Sequence, residues 1–127
     1  MEPQEIVTRT TKTWLADDGI LRATYLPGVE EVLEDAKQNV AVSTKIMKGQ
    51  PRPLLLDCQE IGSQSRDART YYTTAKPENF LAVAILISSP MSRMIGNLVL
   101  GFNRGPYPTR LFTSEAEAIA WLKGFLA

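Results

Sequence analysis

Five polar side chains gather behind one leucine run: Asp57, Ser63, Ser65, Arg66 and Arg69 all lie in the stretch Pro53 to Arg69, PLLLDCQEIGSQSRDAR. Two hydroxyls and two guanidinium groups just past an apolar run are groups suited to recognition. A helix starting there offers its free N–H groups to an anion or a phosphorylated hydroxyl. Ser63 and Ser65 are both suited to cap that helix, because a serine oxygen accepts from the N–H groups of the first turn. A capped loop with no further role accounts for them equally well, since every helix start needs partners. Ser88, Ser89 and Pro90 repeat the pattern after the next apolar run, with Arg93 close behind. Tyr72 sits among them in sequence, in the weakly apolar segment Arg66 to Ala75.

Much chemistry is excluded. The chain has no histidine, so Ser-His-Asp and Cys-His arrangements are impossible and the commonest metal ligand is missing. No Walker loop is present, and Gly96 to Gly101 falls inside an expected helix rather than a strand-to-helix turn. The lone cysteine, Cys58, stands beside Asp57, whose charge opposes thiolate formation, so a buried structural thiol is expected. Asp57, Glu60 and Asp67 have no spacing that sets two carboxyls at a defined separation. With no nucleophile-base pair, the expectation is a protein that is not an enzyme and takes no cofactor or metal.

These residues need a scaffold, and at 127 residues the chain has the length of one domain covering 1–127, with residues 1–6 expected to be disordered. Fourteen basic and fourteen acidic residues cancel, so no positive field draws in nucleic acid. One cysteine cannot form an internal disulfide, and no signal-like leader opens the sequence, so a reducing cytoplasm is expected. The longest apolar run, Phe80 to Ile87, is far too short to span a bilayer.

The alternating threonines and basic residues from Val7 to Leu15 predict a strand with one wet face. Asp17-Asp18-Gly19 predicts the tight turn of a hairpin, and Ile20 to Leu26 the returning strand. After Leu26-Pro27-Gly28, apolar residues recur at helical spacing from Val29 to Lys48, with Glu30, Glu31, Glu34 and Asp35 in the first turns, where they complement the helix dipole. Leu54-Leu55-Leu56 does not alternate, which predicts a strand covered on both faces. Phe80 to Ile87 predicts the central strand, Met91 to Phe102 a helix, Pro108 to Phe112 a short last strand, and Ser114 with Glu117 the capping box of a terminal helix. The order is ββαβαβαβα: an α/β fold with a mostly parallel five-stranded sheet opened by an antiparallel hairpin.

That succession, with Leu54-Leu55-Leu56-Asp57 leading into a serine-bearing turn, resembles the STAS domain superfamily, the fold of bacterial anti-sigma-factor antagonists. The Leu26-Pro27-Gly28-Val29-Glu30 approach, the Ser65-Arg66-Asp67-Ala68-Arg69 helix start and the Arg110 to Leu122 ending look like a group of small uncharacterised bacterial STAS-like proteins. In regulatory STAS domains an Asp-Ser-Ser/Thr-Gly motif follows this strand, and a partner kinase phosphorylates its first serine. This chain carries Gly62-Ser63-Gln64-Ser65-Arg66-Asp67 instead. Relatives of the same general fold include lipid-handling CRAL-TRIO domains and transporter tails.

The resemblance implies a non-enzymatic regulatory or binding module. Its expected site is the rim formed by Asp57, Ser63, Ser65, Arg66, Arg69, Tyr72, Ser88, Ser89 and Arg93, docking a protein partner such as a kinase-like regulator. The alternative occupant is a small hydrophobic or amphipathic, lipid-like ligand held beneath Arg66 to Ala75 as a lid and touched by Tyr71, Tyr72, Met91 and Met94. Pairing of two copies through an exposed sheet edge is a further expectation.

Overall fold

The computed structural model describes residues 5–75, 80–88 and 107–126. Strands β1 (Glu5–Val7), β2 (Thr11–Leu15), β3 (Leu21–Tyr25), β5 (Arg52–Asp57), β7 (Phe80–Leu86) and β8 (Thr109–Phe112) form one sheet in the order β1-β2-β3-β5-β7-β8. The β1, β2 and β3 pairings are antiparallel; β3 with β5, β5 with β7, and β7 with β8 are parallel. The α/β, mostly parallel design follows the sequence expectation, with six strands in place of five.

The sixth strand exists because the expected first strand breaks. Thr8 Oγ1 accepts from the backbone N–H groups of Thr11 and Thr10, at 3.0 and 3.3 Å, and Thr8 N donates to Thr11 O at 2.8 Å. A threonine side chain that competes for nearby backbone groups closes a turn, so Glu5–Val7 folds back onto Thr11–Leu15. Glu5 and Ile6, expected to be disordered, are thus in an edge strand. The second turn lies where Asp-Asp-Gly predicts it: Gly19 has φ 86°, and Asp18 Oδ1 accepts from Ile20 N at 3.0 Å.

Helices cover both faces. The period of two along a strand sends Leu21, Ala23, Leu54, Val83 and Ile85 to one face, where they pack with Ile46 and Met47 of α1 (Leu33–Met47). Leu55, Ala82, Ala84 and Leu86 point the other way, onto Ala118 and Leu122 of α3 (Glu115–Lys123). That is why the leucine run shows no alternation. Ser114 caps α3, accepting from Glu117 N at 3.3 Å. Pro53 is fully buried inside β5; it has no N–H to give to the ladder, and the β5–β7 register shifts there.

The carboxyl ends of β5 and β7 meet at one rim, with Asp57 opposite Leu86 and Cys58 N donating to Leu86 O at 2.9 Å. A second, two-stranded parallel sheet stands above it, pairing β4 (Glu30–Glu31) with β6 (Ser63–Gln64), followed by α2 (Arg66–Ala75). The helix expected from Val29 therefore begins only at Leu33, because Val29 to Glu31 are held extended by Gly62 N and Ser63 N, which donate to Val29 O at 2.9 and 3.1 Å. Glu30 and Glu31 do not sit in the helix; only Glu34 and Asp35 occupy its first turn. The expected helix Met91 to Phe102 lies outside the described residues. Among the described residues, no helix is long and apolar enough to cross a membrane.

Candidate functional site

A strand of two residues points one side chain out and the next in. In β4 the alternation leaves Glu30 exposed and buries Glu31 completely. A buried carboxylate has to be met by donors or a cation, and here four uncharged side chains from four elements converge on it. Tyr25 Oη, at the end of β3, donates to both carboxylate oxygens at 2.9 Å. Tyr72 Oη of α2 donates to Oε2 at 2.7 Å, and Asn39 Nδ2 of α1 to the same oxygen at 2.8 Å. Gln64 Nε2 of β6 donates to Oε1 at 2.6 Å.

The donors are themselves held. Asn39 Oδ1 accepts from the hydroxyls of Thr8 and Thr11 at 3.2 and 2.9 Å, which turns its amide N–H toward Glu31. Asp35, Asn39 and Ser43 follow one another at four-residue steps and are all buried, so α1 turns a polar stripe inward. Asp35 Oδ2 accepts from Val32 N at 3.0 Å, holding the helix start, and the Arg9 guanidinium bonds to both Asp35 oxygens. Arg9 holds the Asp35 carboxyl below its ordinary range, against the smaller opposing effect of burial.

Electrostatics in the cluster follow from burial without a countercharge. Loss of water pushes the Glu31 carboxyl above its ordinary range, while the bonds from Tyr72, Gln64, Tyr25 and Asn39 pull it back. Burial and the neighbouring carboxylate drive the Tyr72 phenol well above its ordinary value, and burial, Tyr72 and Glu31 do so for Tyr25. Cys58 is buried in the core, and burial, then Glu31 and Asp57, push its thiol up. A thiol in that environment is inert.

Next to the cluster lies a cavity of about 80 Å³ between the sheet and the first two helices. Its wall is mostly apolar, with Ala23, Leu54, Leu56, Phe80, Val83 and Ile85 among its lining residues. Tyr25, Asn39, Gln64 and Tyr72, which converge on Glu31, make its polar end, and Thr11, Thr13, Ser43 and Thr109 also line it. Glu31 stands behind the four that converge on it rather than on the wall. Among the described residues, no group of three or more Cys, Asp or Glu side chains is arranged to hold a metal ion.

The match to known families decides the relationship. Residues 13–126 fit the family model described as a domain of unknown function, DUF7793. The chain belongs to that family. The DUF7793 chain also resembles the crystal structure of an uncharacterized protein of the DUF3478 family from Shewanella loihica PV-4, described as having a SpoIIAA-like fold. The two share 17% identity at a TM-score of 0.59, covering 95% of this chain and 92% of that one. This shows the STAS-like fold. A second crystal structure, a protein with unknown function from Arthrobacter sp. FB24, shares 31% identity over 93% of this chain and 96% of that one, with a TM-score of 0.37. No curated protein matches the chain.

The residues singled out from the sequence divide. Ser65 caps α2, its Oγ accepting from Ala68 N at 3.1 Å, whereas Ser63 lies in β6 and caps nothing. Asp57 closes a turn at the end of β5, accepting from Gln59 N at 3.0 Å and Gln59 Nε2 at 3.2 Å. Arg66 is exposed on the rim, and Arg69 Nη1 donates to Gln64 O at 2.7 Å. Ser88 is exposed just past β7. Ser89, Arg93, Met91 and Met94 lie outside the described residues. Among the described residues of the named set, only Tyr72 lines the cavity, and the Tyr71 ring meets the Tyr72 ring edge-on with centroids 6.4 Å apart.

Glu31, Tyr25, Asn39 and Gln64 escaped the sequence reading. The acidic run puts Glu31 in the expected first turns of a helix, where dipole complementation accounts for it. The signal the sequence carries is the Asp35, Asn39, Ser43 step, a polar stripe at helical spacing, which by itself does not differ from an ordinary water-facing stripe.

Proposed function

We propose that the protein is a non-enzymatic binding module that takes a small, mostly apolar molecule into the cavity beside the Glu31 cluster. The carrying observation is the pairing of an apolar wall with one polar end, the usual composition of a small-molecule site. A void of about 80 Å³ is smaller than the engineered void of about 150 Å³ that admits benzene, so the occupant is a short chain or the end of a longer one. Supporting this reading, the polar groups at the cavity's end are positioned by four separate elements, β3, α1, β6 and α2. No nucleophile-base pair borders the cavity among the described residues, which favours binding over turnover.

Two measurements test it. Native mass spectrometry of freshly purified protein is expected to show a co-purifying small mass, and dissolved xenon is expected to perturb the methyl resonances of Leu54, Val83 and Ile85. Leu56→Phe, which fills the space, abolishes both effects. A bare protein mass together with unperturbed methyls removes the reading.

A second reading, docking of a protein partner on the rim, is favoured by how firmly the rim is built. The β4–β6 pair and the Val29 bonds hold Arg66, Asp67 and Glu60 exposed beside Ser63. A partner whose binding survives both Ser63→Glu and Arg66→Glu would argue against this surface.

A further inference from the structure

The polar end of the cavity is not neutral in its hydrogen-bonding sense. Each phenol has one proton, and both Tyr25 and Tyr72 give theirs to Glu31. Each oxygen keeps lone-pair capacity as an acceptor, of which Tyr72 Oη already uses part on Asn39 Nδ2 at 3.4 Å. Gln64 spends an N–H of its Nε2 on Glu31, and the carboxylate fixes the sense of the amide, because the opposite orientation would set oxygen against oxygen. As a result Gln64 Oε1 is buried and has no partner. A buried amide oxygen without a donor is an unmet demand, and this one belongs to a residue that lines the cavity. Any anion entering would meet these acceptors with the Glu31 carboxylate behind them.

Resting on the cavity reading above, we propose that the site selects a short apolar chain ending in a hydrogen-bond donor, a hydroxyl or an ammonium, and rejects carboxylates and phosphate esters. The donor bonds to Gln64 Oε1, an ammonium having further N–H groups for a phenol oxygen, and the chain lies along Leu54, Val83 and Ile85. Arg66 and Arg69, the cations nearest in sequence, do not line the cavity; Arg69 is turned to the Gln64 carbonyl. Gln64 retains a second N–H, so the discrimination is against negative charge rather than against every acceptor.

The test compares 1-hexanol, hexylamine and hexanoate at neutral pH by titration of the full chain, followed by methyl NMR. The alcohol and the amine are expected to bind at least about tenfold more tightly than the carboxylate, the effect of one good hydrogen bond. Hexanoate binding as tightly as the alcohol overturns the proposal. Xenon entry with no binding by any of the three also overturns it while leaving the cavity reading intact; failure of xenon to enter removes both. Gln64→Leu is expected to lower hexanol affinity about tenfold while xenon still enters. In Glu31→Gln the donors are freed to turn, and the preference over hexanoate is expected to shrink below about threefold. Unchanged selectivity in both variants refutes the assignment.

Discussion

Glu31→Ala should be among the most damaging single substitutions in this chain, and its neighbour Glu30→Ala nearly silent. Truncation takes the acceptor from Tyr25, Tyr72, Asn39 and Gln64 at once. Part of the loss can be recovered: Asn39 Nδ2 has Thr10 Oγ1 at 3.3 Å, and the two phenol oxygens are 3.5 Å apart, close enough to bond to each other. Gln64 Nε2 and one phenol are then left buried and unmet, at about 1–3 kcal/mol each. Release of a desolvated carboxylate offsets some of this. The net loss comes to about 3 kcal/mol, a large part of the stability of an ordinary domain, and lowers the melting temperature by about 10 °C. Glu30 is exposed, and its link to Arg9 runs through its backbone oxygen, so its truncation costs within about 0.5 kcal/mol. Urea denaturation of the two variants beside the parent measures both. Equal losses, or a loss below about 1 kcal/mol for Glu31→Ala, would refute the buried hub.

Three further outcomes follow from the packing around the same site. Gly62→Ala places a Cβ 2.6 Å from Gly28 O and 2.9 Å from Val29 O, so backbone has to move; thermal melts are expected to show a loss of about 2 kcal/mol, within the range for overpacked sites, and more than Gly124→Ala, whose nearest contact is 3.3 Å. Ser65→Ala removes the cap of α2 and costs about 1 kcal/mol, while Ser63→Ala stays within about 0.5 kcal/mol; denaturation reversing that order would contradict the cap. The pH dependences run in opposite directions. Burial raises the Glu31 pKa, so the native state keeps that proton longer than the unfolded chain, and the stability of parent relative to Glu31→Gln falls as pH rises from about 4 through the raised value. Arg9 lowers the Asp35 pKa, so the advantage of parent over Asp35→Asn is present above about pH 4 and fades as pH falls through the lowered value. Denaturation curves at a series of pH values separate the two; parallel trends would be inconsistent with the assignment.

How much of this was legible in advance depended on whether the deciding force was local. Leu54-Leu55-Leu56 announced a strand covered on both faces, and the Asp17-Asp18-Gly19 turn and the Ser114 cap were readable because a few adjacent residues settle them. Thr8 misled, since a threonine that starts a turn and one that lies in a strand look alike until the partner backbone is in place. Glu31 misled more seriously. Its helical spacing and acidic neighbours matched a dipole-facing turn, and nothing within the segment Val29 to Val32 reveals that Gly62 and Ser63, some thirty residues on, will hold it extended.

By itself, then, the sequence determined the layering, because burial on both faces leaves its mark on the two central strands, β5 and β7, as an unbroken apolar run. It also determined which chemistry is missing, because a histidine that is not encoded cannot be supplied by folding. Only the tertiary structure decided where the polar centre lies. Glu31 meets donors from β3, α1, β6 and α2, residues six to forty-one positions away. Those donors acquire a common partner only when the chain has closed around it and water has been removed.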